Sequence, residues 1–224
     1  MKDEALPQAN MFVVRLIVFL FRVTFKLYFR LECVGCERVR QVLQLDRPVI
    51  MVLNHASNLD AAVGGACTGA EFVGRFSVPG KRELFDNWKT GWLMRALGLF
   101  PVDREILDLS VVRTMFRILR SGQGVGIAPE GTRSPTGEVQ AFKSGFVKLA
   151  LKTDSPIFPI GIQGTHEALP KGATIPRPKK IIVRFGELID LKSYIAEQPV
   201  EPTDEELAEM IRQEVIRLSG GAGR

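Results

Sequence analysis

The residues best placed to do chemistry in this 224-residue chain are His55 and Asp60, in the stretch Asn54-His55-Ala56-Ser57-Asn58-Leu59-Asp60. They follow directly on the apolar run Pro48-Val49-Ile50-Met51-Val52-Leu53, which reads as a buried strand. A base and a carboxylate at the end of a rigid strand can hold an imidazole in one tautomer and aim its free nitrogen at a substrate hydroxyl. Taken alone the pair is compatible with a hydrolase that activates water and with a transferase that activates an alcohol.

Three further stretches carry suitable residue types. Gly98-Leu99-Phe100-Pro101-Val102-Asp103-Arg104 is a short β-like run closed by an acid and a base, and Arg104 offers a planar fork for a phosphate or for a surface pair with Asp103. Ala128-Pro129-Glu130-Gly131-Thr132-Arg133-Ser134 follows the strand-like 124–128. Its glycine permits a tight turn, its hydroxyls and Arg133 can hold an anion, and a plain charged turn is the simpler alternative. Ile157-Phe158-Pro159-Ile160-Gly161-Ile162 is apolar with two breakers and reads as a sheet strand beside the site.

The elements that must position these residues alternate: strand-like 48–53, helix-like 87–97 and 106–120, strand-like 124–128, helix-like 144–152, then strand-like 157–163 and 180–185. Alternation of this kind predicts an α/β layer fold. A capping box at Thr203-Asp204-Glu205-Glu206 opens a final helix with Leu207, Met210, Ile211, Val215 and Leu218 on one face. The expected organisation is an N-terminal membrane-interface helix over 1–30 followed by a single α/β domain over 31–224, a second domain being possible at this length but not needed.

Residues 11–30 read MFVVRLIVFLFRVTFKLYFR. On a helix Arg15, Arg22, Lys26 and Arg30 fall within an arc of about 80°, leaving Val13, Leu16, Ile17, Leu20, Phe21, Leu27 and Tyr28 on the broad opposite side. The uncharged run Leu16–Phe21 is far shorter than the roughly 20 residues of a spanning helix, so this element is expected to lie in a membrane interface, a core helix with a solvated stripe being the alternative. Lys+Arg 30 against Asp+Glu 25, net +5, suits an anionic partner. Anionic lipid fits better than nucleic acid, because the basic residues are not interleaved with stacking aromatics in a recognised module. The basic, proline-broken loop around Ile175-Pro176-Arg177-Pro178-Lys179-Lys180 can also reach headgroups.

Cys33, Cys36 and Cys67 form no even framework, and a reducing setting is expected; Cys33-x-x-Cys36 lacks the second pair that a zinc site needs. No metal ligand set is read. His166 is read as a loop histidine, and Trp88 and Trp92, four apart on a helical pattern, as core or interfacial packing.

Taken together, and in this order, the four stretches resemble the glycerolipid acyltransferases of the lysophosphatidic acid acyltransferase type. That family's pattern is Asn-His-x-x-x-x-Asp, a Val-Asp-Arg-like block, Pro-Glu-Gly-Thr-Arg-Ser and a Pro-containing apolar strand. Lys81-Arg82-Glu83-Leu84 and Phe142-Lys143-Ser144-Gly145 extend the likeness, which covers roughly 32–190; Ala128 departs from it, standing where a bulky apolar residue is usual. The resemblance implies a mixed sheet flanked by helices, with the N-terminal element on the membrane. It implies that His55, oriented by Asp60, deprotonates the free hydroxyl of an acylated glycerol phosphate, which attacks the thioester of acyl-CoA or acyl-carrier protein. Arg104 and Arg133, with Lys81, hold the acceptor phosphate, and Glu130, Gly131 and Thr132 shape the receiving loop. No cofactor is implied beyond the acyl co-substrate, and the expected location is the cytoplasmic face of a membrane, peripheral or monotopic. A non-catalytic membrane-binding protein of the same fold, or an acyltransferase for glycerol 3-phosphate or another lyso-lipid, are the competing readings.

Overall fold

The computed structural model describes residues 6–102 and 109–221. The chain runs through α1 (Met11–Tyr28), β1 (Glu32–Val34), α2 (Cys36–Gln44), β2 (Ile50–Leu53), α3 (Asp60–Thr68), α4 (Ala70–Arg75), β3 (Phe76–Lys81), α5 (Glu83–Asp86) and α6 (Trp88–Ala96). It continues through β4 (Leu99–Val102), α7 (Leu109–Arg120), β5 (Gly124–Ile127), α8 (Gly145–Thr153), β6 (Ile157–Gln163), α9 (Thr165–Ala168), β7 (Ile182–Phe185), α10 (Leu191–Ala196) and α11 (Asp204–Leu218).

The strands make one mixed sheet in the order β1-β7-β6-β2-β5-β3-β4. Pairing is parallel throughout the β6-β2-β5-β3-β4 portion and antiparallel only between β6 and β7. Side chains alternate across the sheet as a period of two requires. Ile50, Val52 and Ile157 enter a core shared with α7, α8, α10 and α11. Phe158, Ile160 and Ile162 enter the opposite core, shared with α1 to α4. Phe158 stacks on Phe185 of β7 with ring centroids 5.9 Å apart.

The two breakers of β6 have separate reasons. Pro159 lies just before the antiparallel ladder with β7, which begins at Ile160. At Gly161 a Cβ would stand 2.2 Å from the Leu218 carbonyl carbon, so the end of α11 can reach the sheet only over a glycine. Thr203 and Glu206 form the reciprocal capping box expected of them.

On α1 the apolar side expected from the sequence divides in two. Val14, Val18 and Phe25, together with Phe29 just beyond, are buried, and Phe25 and Phe29 belong to the core that α3 and α4 share. Phe12, Leu16, Phe19, Leu20, Val23 and Leu27 are exposed on the far side. The basic stripe lies between these two faces, and Arg22 Nε donates to the Ala66 carbonyl of α3 at 3.0 Å. Among the described residues no helix is long and apolar enough to cross a membrane.

One expectation is corrected and another narrowed. Cys33 and Cys67 are joined in a disulfide of 2.08 Å, leaving only Cys36 free and exposed. The pair is 34 residues apart in sequence and meets only because α3 packs beside β1, so no local spacing reveals it. Of the two readings of Trp88 and Trp92, the core one is excluded by their exposure of 79% and 60%, and the interfacial one stands.

Candidate active site

In the parallel part of the sheet every functional stretch leaves the carboxyl end of a strand, where ligands bind in open α/β sheets. The His55 turn follows β2, the Glu130–Ser134 loop follows β5, Lys81 ends β3, and the segment bearing Asp103 and Arg104 follows β4. Arg104 lies outside the described residues.

His55 Nδ1 is 2.8 Å from Asp60 Oδ2. The same oxygen accepts the backbone N–H groups of Ala56 at 2.8 Å and Ser57 at 2.9 Å. Asp60 opens α3 and is 1% exposed. An ionised carboxylate opposite Nδ1 assigns the proton to Nδ1 and leaves Nε2 with its lone pair free. The base is therefore held in the tautomer that proton abstraction needs, and the carboxylate favours the imidazolium formed by it.

The turn that carries His55 is fastened on both flanks. Towards β6, Asn54 Nδ2 donates to the Ile162 carbonyl at 2.9 Å while Asn54 Oδ1 accepts the Ile162 N–H at 2.8 Å, and Ser57 Oγ donates to the Leu169 carbonyl. Towards β5, the His55 N–H donates to Glu130 Oε1 at 2.8 Å and the His55 carbonyl accepts the Ser134 N–H at 2.7 Å. Asn54, Ser57 and Ser134 thus position the base, a role their residue types alone did not announce. The presence of Asn54 directly before the histidine was the only local signal. Ser134 differs from its reading as an anion-binding hydroxyl: it is buried, and its Oγ accepts the Gly137 N–H.

Glu130 points inward, beneath the His55 turn, instead of outward to solvent. It is 7% exposed. Burial pushes its carboxyl up to about 7, with hydrogen bonds from the backbone of His55 and Gln140 opposing the rise. In the unfolded chain the group ionises at the ordinary 4.5. Folding therefore becomes less favourable as pH climbs from that value towards 7, by on the order of 3 kcal/mol in all. Glu130→Gln keeps an acceptor for the His55 N–H and has no charge to bury. Its NH₂ takes the place of Oε2, buried without a partner among the described residues, which costs stability at every pH. We therefore expect its melting temperature to gain on the parent's between pH 4.5 and pH 8, and a difference that does not change over that range would contradict the account.

The cationic side of the site lies along β5 and β3. Gly131 has φ +74°, a conformation suited to glycine, and Lys143 Nζ lies 3.2 Å from where its Cβ would be. Thr132 is exposed and Arg133 half-buried. Among the described residues neither Arg133 nor Lys143 has an ion-pair partner. Lys81 is exposed at the end of β3. His166 packs its ring over Gly137, on the β6 side of the His55 turn and away from these cations. Among the described residues no group of three His, Cys, Asp or Glu is placed to hold a metal ion.

The sequence model of the Acyltransferase family matches residues 30–163. A chloroplastic 1-acyl-sn-glycerol-3-phosphate acyltransferase of Brassica napus is 30% identical over 134 residues, which is 57% of this chain and 36% of that protein. A 1-acyl-sn-glycerol-3-phosphate acyltransferase of Borreliella burgdorferi is 25% identical over 175 residues, 75% of this chain and 65% of that one. The aligned part of the chain thus spans little more than a third of the Brassica relative and just under two thirds of the Borreliella one. The crystal structure of the 1-acyl-sn-glycerophosphate acyltransferase PlsC from Thermotoga maritima superimposes with a TM-score of 0.75 at 28% identity, covering 94% of this chain and 80% of that one.

Proposed function

Since this chain belongs to the acyltransferase family, we propose that it moves a fatty acyl group from an acyl thioester to the free hydroxyl of 1-acyl-glycerol 3-phosphate, giving phosphatidic acid. The observation that carries the reading is the 2.8 Å bond from His55 Nδ1 to Asp60, which frees Nε2 beside a loop whose Arg133 has no ion-pair partner among the described residues. Nε2 takes the hydroxyl proton as the oxygen attacks the thioester carbonyl. The tetrahedral intermediate collapses with cleavage of the C–S bond, and the imidazolium returns its proton to the departing thiolate. Two substrates bound together in this way need no serine or cysteine nucleophile.

Arg133 and Lys81, with Arg104 from the segment outside the described residues, form the proposed grip on the acceptor phosphate. A charge-assisted hydrogen bond is worth about 1.5–3 kcal/mol, so Arg133→Ala is expected to lower kcat/KM for the acceptor about 10- to 100-fold. The acyl-donor KM should stay within about twofold. Thiol release measured over a matrix of both substrates checks this; equal losses for donor and acceptor would remove Arg133 from the phosphate site. Replacing lysophosphatidic acid by glycerol 3-phosphate or by a lyso-lipid without a phosphomonoester, in the same assay, tests the acceptor itself.

Membrane-surface action is the companion proposal. Phe12, Leu16, Phe19 and Leu27 on α1 and Trp88 and Trp92 on α6 present exposed apolar side chains, and the two helices adjoin where the Asn10 N–H donates to the Ala96 carbonyl. Arg15, Lys26 and Arg30 flank them, as contact with anionic headgroups requires. The donor thioester and the basic flank favour the cytoplasmic face, while the Cys33–Cys67 bridge is the feature more at home in an oxidising compartment. Removing residues 1–30 would be a poor test of docking, because Phe25 and Phe29 belong to the core. The triple variant Leu16→Ser, Phe19→Ser, Leu27→Ser changes only exposed positions. At about 1 kcal/mol or more for each apolar side chain withdrawn from the interface, its partitioning onto phosphatidylglycerol vesicles should fall about 100-fold; unchanged vesicle binding would exclude this face of α1.

A further inference from the structure

A cleft of about 690 Å³ opens on the β6 side of the catalytic turn. Its walls come from the 137–139 loop, from residues 162–167 at and beyond the end of β6, and from the C-terminal half of α11, and Ala56, the neighbour of His55, also lines it. Neighbouring strands are about 4.8 Å apart, so β2 delivers the base between two different approaches. The β5 and β3 side carries Arg133, Lys143 and Lys81, whereas the β6 side carries this cleft.

The two approaches differ in charge. In the cleft the one arginine, Arg212, is already committed: Nη1 to Glu209 at 2.8 Å, Nε to the Gln140 carbonyl and Nη2 to the Val139 carbonyl. Glu138 and Glu167 add negative charge. A phosphate is therefore poorly served there. The rest of the wall is neutral, with Gly137, Gln163, Gln213, Ser219 and Gly220 among its residues. A neutral chain of amides and hydroxyls suits such a wall better than a charged group does.

We propose that this cleft receives the neutral, amide-bearing pantetheine arm of the acyl donor. This rests on the acyl-transfer reading. Direct transfer requires both substrates at His55 Nε2 at once, and the cationic side is taken by the acceptor phosphate. The arm is common to acyl-CoA and acyl-carrier protein, so the cleft serves either source. The Asn54–Ile162 amide pair ties the floor of the cleft to the catalytic turn, which fixes the distance between arm and base.

Gln213→Trp and Ile216→Trp would each fill the cleft from α11, whose buried face is made by Leu207, Ile211, Val215 and Leu218. With folding checked by thermal unfolding, each variant is expected to raise the KM of acyl-CoA and of the minimal donor S-acyl-pantetheine about tenfold, and the KM of lysophosphatidic acid less than about twofold. A rise confined to acyl-CoA would mean that the nucleotide is what binds, and a rise in acceptor KM that the acceptor lies there. Unaltered kinetics in both variants would leave the cleft without a role. Any of these three results overturns the proposal. The source is read from the unsubstituted enzyme by which donor, CoA-linked or carrier-linked, has the larger kcat/KM. If that enzyme releases no thiol from any donor in the presence of any acceptor, the acyl-transfer function itself fails, an outcome distinct from the other three.

Discussion

His55→Ala is expected to lower kcat for acylation of lysophosphatidic acid about 10²- to 10⁴-fold, the range that a positioned general base contributes. The loss should fall on kcat and kcat/KM alike, because the imidazole acts on the proton in flight and not on either substrate at rest. The fold should hardly notice. The His55 side chain is 20% exposed, and its one hydrogen bond among the described residues is the one from Nδ1 to Asp60. Its backbone bonds to Glu130 and Ser134 do not depend on the side chain. Steady-state kinetics together with a thermal unfolding curve separate the chemistry from the fold. A variant that melts normally and turns over within tenfold of the parent would remove His55 from the mechanism.

Asp60→Asn is expected to cost about 10³- to 10⁴-fold in kcat, by analogy with loss of the orienting carboxylate in serine-protease triads. One carboxylate oxygen serves His55 Nδ1 and the Ala56 and Ser57 N–H groups. An amide oxygen in that place can accept all three bonds, so the turn keeps its shape. It cannot offset the positive charge that the imidazole acquires as it takes the proton. The amide NH₂ is then left where Oδ1 now is, buried with no acceptor among the described residues, a penalty of about 1–3 kcal/mol in stability. Both effects are measurable on the same sample: a large fall in kcat with a modest fall in melting temperature. A normal kcat would mean that Asp60 shapes the turn and nothing more.

The chemistry of the site was more legible in the sequence than its support. A strand ending in His55 with Asp60 five residues on is a local pattern, and local patterns survive into structure: β6 spans Ile157–Gln163 and the Thr203–Glu206 capping box forms as read. What fastens the turn is not local. Asn54 meets Ile162 across 108 residues and Ser57 meets Leu169 across 112, pairings that exist only once β2 and β6 are neighbours. Glu130 and Ser134 were read as part of a loop facing the substrate, yet both turn inward to the His55 backbone, because the β5 loop must close over the β2 turn.

Elsewhere, propensity hid the elements. The α3 sequence Asp-Ala-Ala-Val-Gly-Gly-Ala-Cys-Thr has two glycines and little amphipathic contrast, and it is helical because Val63 and Ala66 pack into the core that α1 shares. β3 contains Pro79-Gly80, breakers for a central strand; both lie in the stretch that pairs with β4 alone, beyond its ladder with β5. On α1 the period of the apolar residues was plain, but which part would meet protein and which solvent depended on the placement of α3 and α4.

The most direct test of the central claim is thiol release by the purified enzyme from an acyl thioester, followed with and without lysophosphatidic acid while phosphatidic acid is quantified. A base that activates the acceptor hydroxyl predicts thiol release only when the acceptor is present, one thiol for each phosphatidic acid formed, and neither in His55→Ala. Thiol released at the same rate without acceptor would contradict it, showing that His55 activates water and that the protein hydrolyses thioesters instead of transferring the acyl group.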